Sequence, residues 1–179
     1  KHEIISENLR QRLRFAEKVV DYTAILSRYP DYSQAVNHVL ASVGEFYQAD
    51  RAYLFEPDKQ NEGYWNNTFE WCANGVAPQI DNLTEIVPAD MPYWLKVFGR
   101  GETIVNPNIE DVKTLMPSEY ELLKAQSIRS EIAVPVFYRG NLSGFFGLDN
   151  PQRAMTAGSS DCLPLSAGIS AARGRTCAC

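Results

Sequence analysis

The spacing of apolar positions changes twice along the chain. From Glu3 to Arg28 there is no Gly or Pro, and Ile5, Leu9, Leu13, Ala16, Val20 and Thr23 recur in steps of three and four. That spacing predicts one long amphipathic helix. Tyr29-Pro30 ends it, because proline disfavours helical geometry in the residue before it. Asp31, with Gln34 three residues on, then reads as the capping box of a second helix carrying Tyr32, Ala35, Val36, Val39, Leu40, Val43, Phe46 and Tyr47 on one face. Beyond Asp50 the period becomes two. Arg51 to Glu56 predicts a strand, Pro57 to Gly63 its turn, and Tyr64 to Ala73 a returning strand. A second hairpin is predicted where Ile128, Ser130, Ile132, Val134, Val136 and Tyr138 alternate, and where Leu142, Gly144, Phe146 and Leu148 do so across the turn Arg139-Gly140-Asn141.

Between the hairpins the pattern is short and broken. After Pro78 and Pro88, Asp90 is expected to cap a helix carrying Trp94, Leu95 and Phe98 that stops at Gly99 and Gly101. Thr103-Ile104-Val105 predicts a short strand, Ile109–Val112 a turn of helix, and Ser118 with Glu121 a capping box for a helix ending near Gln126. The second hairpin carries apolar groups on both faces, with Ala133, Pro135, Phe137 and Phe145 opposite the first set. A sheet apolar on both faces must be covered on both. The expectation is an α+β domain: a central antiparallel sheet with a helical layer on one face and loops and short helices on the other, leaving a concave space for a small ligand. Pro135 lacks a ladder donor and belongs at an edge or bulge.

Length and charge narrow the class. The 179 residues suffice for one domain with extensions. Residues 30–150 hold eight Lys/Arg against seventeen Asp/Glu, a local charge of −9 that would repel nucleic acid or an anionic membrane. No run approaches 18 apolar residues, so no membrane insertion is expected, and the lack of a signal peptide predicts a cytoplasmic chain. The first residue is Lys1, not Met, as in a segment excised from something longer. Cys72 stands alone while Cys162, Cys177 and Cys179 crowd the tail, and His2 and His38 lie far apart, so neither a metal site nor a disulfide framework is expected.

The sequence resembles a GAF domain, the small-ligand sensory module of bacterial signalling proteins. The resemblance rests on Ala49-Asp50-Arg51-Ala52, on Phe69-Glu70-Trp71-Cys72 running into Gly75-Val76-Ala77-Pro78-Gln79-Ile80, on the block 127–136, and on the closing hairpin Gly140 to Asp149. It divides the chain into a lead-in helix over 1–29, a GAF domain over 30–150 and an atypical tail over 151–179. It also implies a pocket on the sheet face away from the helical layer, and attachment to an output domain such as a diguanylate cyclase or a sensor histidine kinase. The lead-in helix is either the contact of a homodimer or a helix packed on its own domain. In place of the periodic closing helix of the family, Gln152 to Cys179 is rich in Ala, Gly, Ser, Arg and Cys, as an altered reading frame or a vector-derived end would be.

Candidate pocket residues are Tyr53 on the first strand, Phe69 and Trp71 on the second, Trp94 on the crossover helix, and Ser130 and Ile132 on the fourth; the plainer reading of each aromatic is core. Glu70 reads as a polar anchor, a solvated strand residue or a partner of Arg129, and Asp149 first as turn chemistry and second as a ligand contact. Three chemistries of the family bear on these residues. Asn106, Asn108 and Asp111 give only partial echoes of the cyclic-nucleotide constellation. Cys72 has no neighbouring His for bilin attachment. One core Cys cannot form and resolve the disulfide of the methionine-sulfoxide reductase branch. The expectation is a non-catalytic sensor with an unidentified small-molecule ligand and no named cofactor; the alternative is a dimerisation module with a filled pocket.

Overall fold

The computed structural model describes residues 31–152. The lead-in helix expected over 3–28 and nearly all of the tail lie outside the described residues. Helix α1 spans Tyr32–Tyr47, opened by Asp31, whose side chain accepts from the Ser33 N–H at 2.9 Å, and closed by Gln48 in the left-handed region. Strands β1 (Arg51–Pro57) and β2 (Trp65–Cys72) form the first hairpin. A crossover follows, with a 3-10 turn at Pro88–Asp90, helix α2 (Pro92–Gly99), the short strand β3 (Ile104–Asn106), a 3-10 turn at Ile109–Val112 and helix α3 (Pro117–Ala125). Strands β4 (Glu131–Tyr138) and β5 (Asn141–Asp149) close the sheet, whose order β2-β1-β5-β4-β3 is antiparallel throughout.

Every strand position from Arg51 to Glu56 is buried because the sheet is covered on both faces. Toward α1 point Ala52 and Leu54, Ile132, Val134 and Val136, and Phe146 and Leu148, against Val36, Val39, Leu40 and Val43 of the helix. Toward α2, α3 and the 3-10 turns point Tyr53, Phe55, Ala133 and Phe145, against Trp94, Phe98, Met116 and Leu123. Phe145 is the centre of this second core, stacked on Phe55 at 4.9 Å and Phe98 at 5.0 Å, with Trp65 and Trp94 at 5.9 and 5.7 Å. Among the described residues no helix is long and apolar enough to cross a membrane.

Three local expectations give way to the fold. Asp90 belongs to the 3-10 turn and accepts from the Val87 N–H; α2 begins at Pro92 after Met91, which offers no side-chain cap. Ser118 lies inside α3, which Met116 precedes, again without a side-chain cap. Leu142 packs on the α2–α3 side although Phe146 and Leu148 face α1, because the β4–β5 register shifts between Val136 and Phe137 and the extra residue reverses the alternation. Pro135 meets its expectation: β3 reaches only as far as Ala133, so Pro135 sits where the outer side of β4 has no strand beside it.

Gly44 explains how α1 lies so close to β2. A Cβ there would fall inside the Trp71 indole. Gly44→Ala gains about 1 kcal/mol of helix propensity but forces the ring out, an overpacking of about 1–3 kcal/mol. The expected outcome is a net loss of stability in urea unfolding, reversed when Trp71→Leu is added to make room.

Candidate functional site

The strand registers assemble a row of polar side chains that crosses all five strands. Cys72 lies opposite Arg51, Arg51 opposite Asp149, Asp149 opposite Glu131, and Glu131 opposite Asn106. The adjacent row, Trp71, Ala52, Leu148, Ile132 and Val105, faces α1 and is apolar. The polar row therefore faces the α2–α3 layer, where it is buried: Arg51 is 4% exposed, and Asp149 and Glu131 are each 1% exposed.

Arg51 is the hub of one end. Its Nε donates to Asp149 Oδ2 at 2.7 Å, Nη1 to the Ala77 carbonyl at 3.1 Å and Nη2 to the Gln126 carbonyl at 3.2 Å. One guanidinium thus ties β1 to β5, to the loop after β2 and to the end of α3, using the fork geometry that lysine lacks. At the other end Asn106 Nδ2 donates to Glu131 Oε1 at 2.6 Å. Glu119 of α3 reaches into the same region. Its Oε1 accepts from the Tyr93 and Trp94 N–H groups at 2.6 and 3.0 Å, so the first turn of α2 is capped by a residue 25 positions away instead of by its own N-cap. Glu119→Ala is expected to lower stability by about 1–3 kcal/mol, because it frees two buried donors. Glu119→Gln, which keeps one acceptor, should lose less. Hydrogen exchange at the Tyr93 and Trp94 amides checks that the loss originates at this cap.

The row is short of donors. Glu131 Oε2, Asp149 Oδ1, Glu119 Oε2 and the Trp94 indole Nε1 are buried without a hydrogen-bond partner. Burial pushes the Glu131 carboxyl up to about 8; the Asn106 bond pulls the other way, and the charges of Asp149 and Glu119 push further up. Burial likewise raises Asp149 to about 6, outweighing the hydrogen bond and charge of Arg51, which pull it down. The Tyr53 phenol is held well above its usual range, first by burial and then by the charge of Asp149, on which its hydroxyl is directed. Its ring occupies the space of a Gly147 side chain, so that glycine is required for the phenol to lie flat over β5.

A cavity of about 20 Å³ adjoins the row, walled by Tyr53, Phe55, Ile86, Met91, Trp94, Leu123, Gln126 and Ile128. A more polar and open groove of about 310 Å³ lies outside the Arg51 end, bordered by Asp50, Val76, Gln79, Ser127 and Asn150.

Of the residues singled out from the sequence, Tyr53 and Trp94 share the cavity. Phe69, Trp71 and Ile132 do not; strand alternation turns them to the α1 side, where they pack on the helix. Ser130 precedes β4, its N–H donating to Asn150 Oδ1 at 3.1 Å and its carbonyl accepting from the Asn150 N–H at 2.8 Å. Glu70 is an anchor, though not of Arg129: its Oε2 accepts from the Gln79 and Ile80 N–H groups at 2.8 and 3.2 Å. Asp149 is no turn residue but half of a buried ion pair. Asn108 caps its own 3-10 turn, and Asp111 accepts from it at 3.4 Å. Arg51, Glu119 and Glu131 are not among the site residues expected from the sequence, although a charged residue at an inward strand position is a readable signal for Arg51 and Glu131. Cys72 is half-buried and its thiol is pushed up to about 11, by burial first and then by Glu70, which leaves it protonated and a poor nucleophile. Among the described residues no three His, Cys, Asp or Glu are placed to hold a metal ion.

Comparison with known proteins agrees with this architecture. A family model described as GAF domain matches residues 31–163. The Methanogenesis regulatory histidine kinase FilI of Methanothrix harundinacea (strain 6Ac) is 33% identical over 148 residues, which cover 80% of this chain and 16% of FilI. The chain thus spans under a fifth of the length of that relative. The phycocyanobilin-bound GAF domain from a cyanobacterial phytochrome superposes with a TM-score of 0.73 at 12% identity, covering 90% of this chain and 94% of that one. The chromophore-binding domain of the bacteriophytochrome RpBphP3 from R. palustris gives 0.73 at 13% identity, covering 91% and 61%. At such identities the likeness is one of fold.

Proposed function

We propose, for a chain that belongs to the GAF domain family, that it is the sensory module of a larger signalling protein, binding a small molecule between the sheet and the α2–α3 layer. The observation that carries this reading is the buried polar row beside the cavity. Charged groups in a core cost stability, so a face that keeps Arg51, Asp149, Glu131 and Glu119 inside, with orphaned oxygens, suits recognition better than packing. The likeness to FilI favours a histidine-kinase output over a diguanylate cyclase, on the cytoplasmic side of the cell. Ligand energy can reach that output only through different affinity for two arrangements of the flanking helices, with the lead-in helix as the contact of a homodimer. The module acts by binding, with no turnover of its own.

A specific observation favours the second reading, a dimerisation module: the cavity holds only about 20 Å³, and its wall residue Trp94 packs edge-on against Phe145. A tetrapyrrole does not fit about 20 Å³, so a bilin is not the proposed ligand. A thermal-shift screen of amines, amino acids, carboxylates and nucleotides separates the two readings. A ligand at a hundred times its dissociation constant adds about 2.7 kcal/mol of stability. Stabilisation by any compound class, lost in a Trp94 variant, is the expected result. No stabilisation by any of them, with a dimer in sedimentation, overturns the sensory reading.

A further inference from the structure

The groove outside the Arg51 end holds about 310 Å³, the lower end of the range that small-molecule sites enclose. Two banks define it. One is the loop after β2, at Val76, Ala77 and Gln79, and the other is the end of α3, at Ala125, Gln126 and Ser127. Arg51 ties them together. Its Nη1 donates to the Ala77 carbonyl and its Nη2 to the Gln126 carbonyl, so the two terminal nitrogens of a residue that itself borders the groove lie between the banks.

Hydrogen-bonding capacity is left over on both charged residues of the lining. A guanidinium carries five N–H groups. The bonds to Asp149, Ala77 and Gln126 take three of them and leave one on each Nη without a partner among the described residues. Arg51 is 4% exposed, so little water reaches these two groups. On Asp50, Oδ2 accepts from Asn150 Nδ2 at 2.6 Å, and Oδ1 has no hydrogen bond among the described residues. The end of α3 adds partial negative charge to its bank, which favours a cation there.

The lining therefore holds one positive and one negative side chain and no net formal charge. A simple anion gains little from it, because Asp149 already draws on the guanidinium and Asp50 repels the newcomer. A simple cation is repelled by Arg51. A zwitterion escapes both penalties, since a carboxylate matches two N–H groups and an ammonium matches a carboxylate oxygen. We propose that the groove binds a free α-amino acid with a small apolar side chain, its carboxylate on the Arg51 Nη groups and its ammonium on Asp50 Oδ1. Val76, Ala77 and Ala125 supply apolar surface for the side chain. This site is separate from the inner cavity and does not rest on the sensory reading given above. Gln126 borders both spaces, however, and Asn150 follows β5, so an occupied groove bears on α3 and on the sheet at once.

L-alanine is the probe, titrated into the 179-residue chain beside propionate and ethylamine, each of which keeps one of its charged ends. The readouts are thermal stability and the amide resonances of Ala77, Gln126 and Ser127. The expected result is saturable shifts and stabilisation with L-alanine, with a dissociation constant in the millimolar range that so small a ligand imposes. Propionate and ethylamine should each bind about tenfold more weakly or worse, having lost one set of charge-assisted bonds. Asp50→Asn, which keeps an acceptor for Asn150, should weaken L-alanine about tenfold. Ala125→Tyr, at an exposed position, should fill the groove and abolish binding while the free chain melts as before. Trp94→Phe should leave L-alanine binding unchanged. No saturable binding of L-alanine, equal binding of all three compounds, or full-strength binding in either groove variant overturns the site. If L-alanine binding is lost in Trp94→Phe and kept in Ala125→Tyr, the ligand sits in the inner cavity: this inference falls and the sensory reading stands.

Discussion

Replacing Arg51 with methionine is expected to destabilise the domain by about 3–5 kcal/mol at pH 7, the cost of removing one partner of a buried ion pair. The pair has side-chain exposures of 5% and 1%, so the Asp149 carboxylate left behind cannot turn to water. The Ala77 and Gln126 carbonyls lose their donor in the same step. Urea unfolding measures the loss. It should shrink toward pH 5, because Asp149 without Arg51 is raised further than its present value of about 6 and is then neutral in the folded state. Adding Asp149→Leu to Arg51→Met should recover most of the loss, since a buried pair replaced by apolar groups of similar volume is often neutral. A loss below about 1 kcal/mol, the value of an exposed pair, would mean that water reaches the hub.

Stability is expected to fall as pH rises through neutrality, and Glu131 is the main cause. Its folded value of about 8 lies above the unfolded value of 4.5, so between these limits the folded state holds more protons than the unfolded one. Stability must then decrease with pH across that window, by up to about 1.4 kcal/mol per unit. The contribution is complete below the unfolded value and gone once pH passes the folded one. Asp149 adds a smaller descent of the same sign between 3.8 and about 6. In Glu131→Gln, which keeps an acceptor for Asn106, the descent between pH 6 and 8 should vanish and the variant should exceed the parent in stability at pH 8. Melting temperatures across pH 5 to 9 in one buffer series give the profile. A parent curve flat from pH 6 to 8 would show that Glu131 is ionised in the fold.

Local pattern carried much of the architecture. The three-and-four spacing from Tyr32 to Tyr47, with Asp31 before it, gave α1 and its cap, and alternation gave both hairpins. Alternation says which residues share a face but not which element will cover it, so Trp71 and Tyr53 were gathered into one pocket although they lie on opposite sides of the sheet. Caps failed where the partner is distant: Asp90 and Ser118 had the right chemistry near a helix start, while Glu119 took the α2 donors from another helix. The pairing within the polar row was illegible for the same reason. Arg51 and Asp149 stand 98 positions apart, and only the strand order puts them side by side.

The two margins of the sheet limit how copies of the domain can associate. Along β2, the Trp65 N–H donates to the Ile86 carbonyl, the Ile86 N–H donates back, and the Asn67 N–H donates to the Leu83 carbonyl, so a loop occupies the ladder positions. Along β4, β3 covers the first half, and Pro135 with the register shift at Val136/Phe137 spoils the rest as a template. An unprotected margin recruits strands from neighbouring chains. Here neither margin offers an unbroken ladder, which protects the domain against strand-swapped oligomers and amyloid-like stacking.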